Sequence, residues 1–86
     1  MKRFDYVITD ALGIHARPAG LLVREAQAFP DTVITISKDG NAARATQLMR
    51  VMGLGVRQGD TVTVTAEGAA ETDAARAMRT FFSKYL

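Results

Sequence analysis

The segment Thr61–Ala66, TVTVTA, alternates strictly, with Val62 and Val64 on one side and Thr61, Thr63 and Thr65 on the other. Successive side chains of a strand point to opposite faces, so this pattern specifies a strand with one apolar and one solvated surface. RFDYVIT (residues 3–9) does the same: Phe4, Tyr6 and Ile8 share one face, and Asp5, Val7 and Thr9 the other. TVITIS (32–37) is rich in the β-branched residues that favour strands. Strands of this kind must be covered on one side only. That restricts the chain to an antiparallel sheet with helices packed on one face.

The intervening segments supply the cover. Pro18 suits the first turn of a helix, where its missing N–H has no partner to lose, and FPD stops that helix at about Phe29. Its core side is Ala19, Leu22, Val23 and Ala26. KDG turns into the short segment NAARA, and TQLMRVMGLG (46–55) is a short helix closed by glycines. In AAETDAARAMRTFFSKYL, a period of about 100° per residue places Ala70, Ala74, Ala77, Met78, Phe81 and Tyr85 together, with Thr72, Arg76, Arg79 and Ser83 opposite. Glu71 and Asp73 in its first turn and Lys84 in its last suit the helix dipole. The expected order is β-α-β-β-α-β-α in a single α+β domain spanning residues 1–86.

Several classes of function fall away. With no cysteine there is no disulfide framework and no cysteine zinc site, and one histidine alone assembles no metal centre. Asp5 and Asp10 interrupt any apolar run at the N-terminus, so neither a signal peptide nor a membrane span is expected, and the chain reads as cytoplasmic. The pI near 9.4 reflects a formal net charge of only +2 from scattered side chains, poor ground for nucleic-acid binding.

The single histidine lies in GIHARPAG (13–20), immediately before the first helix. The first amides of a helix lack intrahelical acceptors and, with the dipole, favour an anion there. A neutral imidazole is a nucleophile at ordinary pH. Arg17, two residues on, is suited to grip phosphate oxygens in a bidentate manner. The same placement equally fits a capping or surface histidine, and spacing alone leaves both open. The outward stripe of this helix, Arg17, Gly20, Leu21, Arg24 and Ala28, mixes basic and small apolar groups. On the second helix Leu48, Met49, Val51, Met52 and Leu54 point in nearly every direction, so some apolar surface should stay exposed, as on an adaptable docking face.

GIHARPA (13–19), QLMRVMGLGV (47–56) and QGDTVTVTAEG (58–68), in this order and spacing, resemble the HPr family over essentially the whole length. These are the histidine-containing phosphocarriers of the bacterial phosphoenolpyruvate:sugar phosphotransferase system. The resemblance implies an open-faced β-sandwich, a four-stranded antiparallel sheet with three helices on one face. It implies that His15 accepts a phosphoryl group on Nδ1 from phosphorylated enzyme I and passes it to the IIA component of a sugar permease. Arg17 would neutralise the phosphate, and Gly20, Leu21, Arg24, Leu48, Met49 and Met52 would dock both partners. Such a protein is a relay, not an enzyme, and needs no cofactor or metal. A monomer is expected, since a dimer would have to hide the docking face, and neither nucleic-acid binding nor membrane insertion is expected.

One position departs from the family. In many Gram-positive members a serine starts the second helix and is phosphorylated by an ATP-dependent kinase to control catabolite repression. Here that position is Gln47, which cannot be phosphorylated; Thr46, one residue out of register, suits an N-cap instead. The departure keeps an alternative open, an HPr-like regulatory paralogue that docks to targets without serving general sugar transport. A small phosphatase would require a phosphate loop that the sequence lacks. RNA binding through the sheet would require stacking aromatics where the strands carry threonines.

Overall fold

The structure, a computed structural model, describes residues 1–86 and has the expected element order. β1 (Lys2–Val7), β4 (Thr61–Gly68), β2 (Thr32–Lys38) and β3 (Asn41–Arg44) form one sheet in the spatial order β1-β4-β2-β3, antiparallel throughout. Three helices, α1 (Ala16–Gln27), α2 (Leu48–Gly53) and α3 (Glu71–Tyr85), complete an open-faced α+β sandwich. None is long and apolar enough to cross a membrane.

The register makes the alternation of the sequence cooperative. Phe4 pairs with Val64, Val64 with Ile36 and Ile36 with Ala43, so one apolar row crosses all four strands and every member is buried. The next row, Asp5, Thr63, Ser37 and Ala42, lies on the other face, where the Thr63 hydroxyl donates to Asp5 Oδ1 at 2.7 Å. Sliding any strand by one residue would exchange these rows and expose the core.

α3 packs on β4 and β1, α2 against β3, and α1 against both other helices. α1 buries Pro18, Ala19, Leu22 and Ala26, whereas Val23 stays half-buried and the helix ends two residues short of Phe29. Pro30 accounts for the stop, since it disfavours helical backbone at the residue before it. α3 brings a larger correction. Tyr85 is about one-third exposed, and the side chain at the centre of the core is Phe82, fully buried edge-on against Phe4, Tyr6 and Phe81 at centroid distances of 6.1, 5.5 and 6.1 Å. Helical periodicity had placed Phe81 on the core face, but the sheet and α1 together enclose a wider sector of α3 than one stripe. The expected cap by Thr46 is also absent: Gln47 is the N-cap of α2, with no side-chain bond, and Thr46 is exposed in the preceding turn.

Candidate functional site

His15 is the N-cap of α1, with extended backbone (φ −99°, ψ −177°), and its carbonyl accepts the amide of Ala19 at 3.0 Å. What places it there is the turn before it. Asp10 Oδ1 accepts the Leu12 amide at 2.8 Å and the Asp10 carbonyl accepts Gly13 at 3.0 Å. Gly13 adopts φ +65°, and a Cβ there would lie 2.2 Å from the Val56 carbonyl oxygen, so only glycine lets the two segments approach. Ile14 is buried and donates to that same carbonyl at 3.2 Å. The histidine is therefore held between a pinned turn and the buried Pro18.

The amides of His15, Ala16 and Arg17 have no acceptor in the protein, and Pro18 has no amide to offer. No acidic residue occupies the first turn of α1, and Arg17 is exposed and unpaired. The helix start thus presents free donors and one unpaired cation, a setting that favours an anion. The imidazole is roughly one-third exposed, and its Nε2 lies 3.9 Å from Asp10 Oδ1. At that distance the contact is electrostatic rather than a hydrogen bond; a carboxylate on that side favours a proton on Nε2, and Nδ1 has no protein partner. Sequence reasoning passed over Asp10 in this capacity; its signal was an Asp five residues before the histidine, opening a turn that ends in glycine.

A second group that sequence reasoning missed lies beneath the turn. Lys38 Nζ sits 2.8 Å from Asp60 Oδ2 and donates to the Gly55 carbonyl at 2.9 Å, while Asp60 Oδ2 accepts the Arg57 amide at 2.8 Å. The hydrogen bond from Lys38, followed by that from Arg57, holds the Asp60 carboxyl below the usual carboxylate value. These bonds fix the 55–60 segment against which Gly13 and Ile14 rest.

The remaining sequence-derived residues lie on two adjoining helices. Arg17, Gly20, Leu21 and Arg24 run along α1, with both arginines exposed and Leu21 half-buried. Leu48 and Met49 stand exposed on α2, Met49 to 77%, whereas Met52 is half-buried against the core and Gln47 is exposed. Met49 is thus a strongly exposed apolar side chain, and Arg17 and Arg24 on the adjoining helix make no ion pair.

Fold and site together define a small open-faced sandwich with a histidine at a helix start. Residues 2–84 match the family model described as the PTS HPr component phosphorylation site. The phosphocarrier protein HPr of Mycoplasma genitalium is 37% identical over 84 residues, covering 98% of this chain and 96% of the relative. Among solved structures, HPr from Thermoanaerobacter tengcongensis superposes with a TM-score of 0.90 at 37% identity, covering 96% of this chain and 92% of that one. Crh, the Bacillus subtilis catabolite repression protein solved as a domain-swapped dimer, gives 0.78 at 31% identity, covering 94% of this chain and 92% of the other. The chain belongs to the HPr family of phosphocarriers of the phosphotransferase system.

Proposed function

We propose that this chain accepts a phosphoryl group on His15 Nδ1 from phosphorylated enzyme I and hands it to a IIA component of a sugar permease. The observation that carries the reading is the set of unsatisfied amides at His15, Ala16 and Arg17 around an imidazole whose Nε2 faces Asp10. The Nδ1 lone pair attacks phosphorus as the bond from phosphorus to the donor breaks, and the Nε2 proton stays in place beside Asp10. The incoming group brings about −1.5 to −2 charges. The free amides and the Arg17 fork meet those oxygens, so the loaded state gains more from the helix start than the empty one.

His15 lines none of the five main surface depressions, of about 220 to 480 Å³. Openness suits a group that must be reached in line by two successive partners rather than sequestered for catalysis by the chain itself. Arg17, Gly20, Leu21, Arg24, Leu48, Met49 and Met52 serve as the docking face, apolar at Leu48 and Met49 and basic around them, for an acidic-rimmed partner surface. The protein works as a cytoplasmic monomer in a single domain, since self-association through α1 and α2 would hide that face.

The test is intact mass after incubation with phosphoenolpyruvate and enzyme I of the same organism, followed by addition of a IIA protein. One phosphoryl group is gained, lost in mild acid, discharged onto IIA and absent from His15→Ala. Gln47, exposed where a phosphorylatable serine stands in many relatives, favours a second reading, a regulator acting by docking alone. That reading requires the biological effect to survive His15→Ala.

A further inference from the structure

At the end of β1 remote from the His15 turn, Lys2 and Arg3 converge with Arg76 and Arg79 of α3 on one surface depression of about 340 Å³, completed by Thr72 and Ala75. No acidic side chain lines it. The nearest acids are engaged or turned elsewhere. Asp5 meets Arg3 at 3.9 Å on the sheet surface, Glu71 is taken by the Met1 ammonium at 2.8 Å and by the Gly68 amide, and Asp73 lines a neighbouring depression with Arg76 without pairing to it. Lys2, Arg76 and Arg79 have no ion-pair partner at all.

Like charges three residues apart on a helix repel, as Arg76 and Arg79 must, and two more cations from β1 add to the field. Asp5 beside Arg3 and Glu71 near Lys2 offset this field in part, while Arg76 and Arg79 make no ion pair. Arg79 is also held in place, its guanidinium 5.0 Å above the ring of the core residue Phe4, so little freedom is left to lose on meeting a ligand.

We propose that Lys2, Arg3, Arg76 and Arg79 form a binding site for a small soluble molecule carrying two or more phosphate groups. The unpaired guanidinium forks of Arg76 and Arg79 match phosphate oxygens in geometry as well as charge, Lys2 and Arg3 add charge at the rim, and the Thr72 hydroxyl adds a neutral donor. The volume falls within the range of about 300–1,000 Å³ usual for small-ligand sites. The cations are gathered around a concavity rather than strung along a stripe, which fits a compact anion better than a polymer. β1 rises roughly 3.4 Å per residue, which puts this site on the order of 20 Å from the turn that carries His15. It is therefore separate from the phosphoryl-accepting surface.

The experiment is an NMR titration of the full chain with inorganic tripolyphosphate at constant ionic strength. Orthophosphate and anionic phosphatidylglycerol vesicles form parallel arms. The site predicts saturable, sub-millimolar shifts confined to the amides of Lys2–Phe4 and Thr72–Thr80, with orthophosphate weaker by about tenfold or more. Lys2→Gln/Arg76→Gln, both exposed and unpaired, keeps the wild-type melting temperature and weakens tripolyphosphate by about tenfold. Non-saturating shifts spread over all basic residues, equal binding by the variant, or binding to vesicles alone would overturn the proposal.

Discussion

Lys38, at the end of β2, clamps Asp60 at 2.8 Å across the base of the loop on which the His15 turn rests. The same ammonium holds the Gly55 carbonyl, so a single side chain fixes both ends of the 55–60 segment, whose Val56 carbonyl meets Ile14. Lys38→Met should therefore slow phosphorylation of His15 several-fold and lower the melting temperature by a few degrees. Lys38→Arg should restore most of the rate. Stopped-time mass spectrometry with enzyme I, alongside thermal unfolding, checks both; an unchanged rate would make the clamp a stability feature only.

The clamp also has a pH signature. The hydrogen bond from Lys38, then that from the Arg57 amide, lowers the Asp60 pKa from its ordinary value of 3.8. A carboxyl whose pKa is lowered by folding contributes stability that is complete above the ordinary value and lost as pH falls through the lowered one. Glu71, lowered from 4.5 by the Met1 ammonium and the Gly68 amide, acts in the same direction. Wild type should exceed Asp60→Asn in urea midpoint at neutral pH, and the gap should close in acid below the ordinary carboxylate range. A gap that persists undiminished in acid would show that the loss in Asp60→Asn is not one of charge.

Gly13→Ala introduces a Cβ 2.2 Å from the Val56 carbonyl oxygen and 2.8 Å from Arg57 Cα, at a φ of +65°. Backbone strain and displacement together should cost about 2–4 kcal/mol. Urea denaturation measures the loss, and the His15 and Ile14 amide resonances should shift as the turn lifts. Wild-type stability in this variant would mean that the two segments separate freely.

Met49 is 77% exposed on α2, so Met49→Lys should leave the urea midpoint within about 0.5 kcal/mol of wild type. The rate of phosphorylation by enzyme I should fall through weaker association, with the rate at saturation retained. Unchanged affinity would remove α2 from the proposed docking face.

Much of this was legible in the sequence because it is local. Alternation in RFDYVIT and TVTVTA set the faces of β1 and β4, and the stop at Phe29-Pro30 was misplaced by only two residues. His15 at the start of α1 was legible for the same reason. The features that escaped depend on contacts between distant parts of the chain. Phe82 becomes the core's centre only when β1 delivers Phe4 and Tyr6 to it, and a single-stripe reading of α3 leaves it out. The Lys38–Asp60 clamp joins a strand end to a loop, and no local pattern marks either partner. Thr46 is not the cap because α2 starts at Leu48, which puts Gln47 at the N-cap and leaves Thr46 one residue outside it.

The central claim is that Nδ1 of His15 carries the phosphoryl group while Nε2, beside Asp10, keeps its proton. Long-range ¹H–¹⁵N correlation spectra of the ring, recorded before and after reaction with phosphoenolpyruvate and enzyme I, read this directly. The account predicts that Nδ1 takes on the shift and phosphorus coupling of a phosphorylated nitrogen, with Nε2 remaining protonated. Phosphorus coupled to Nε2, or a ring left unmodified by an enzyme I of the same organism, would contradict it.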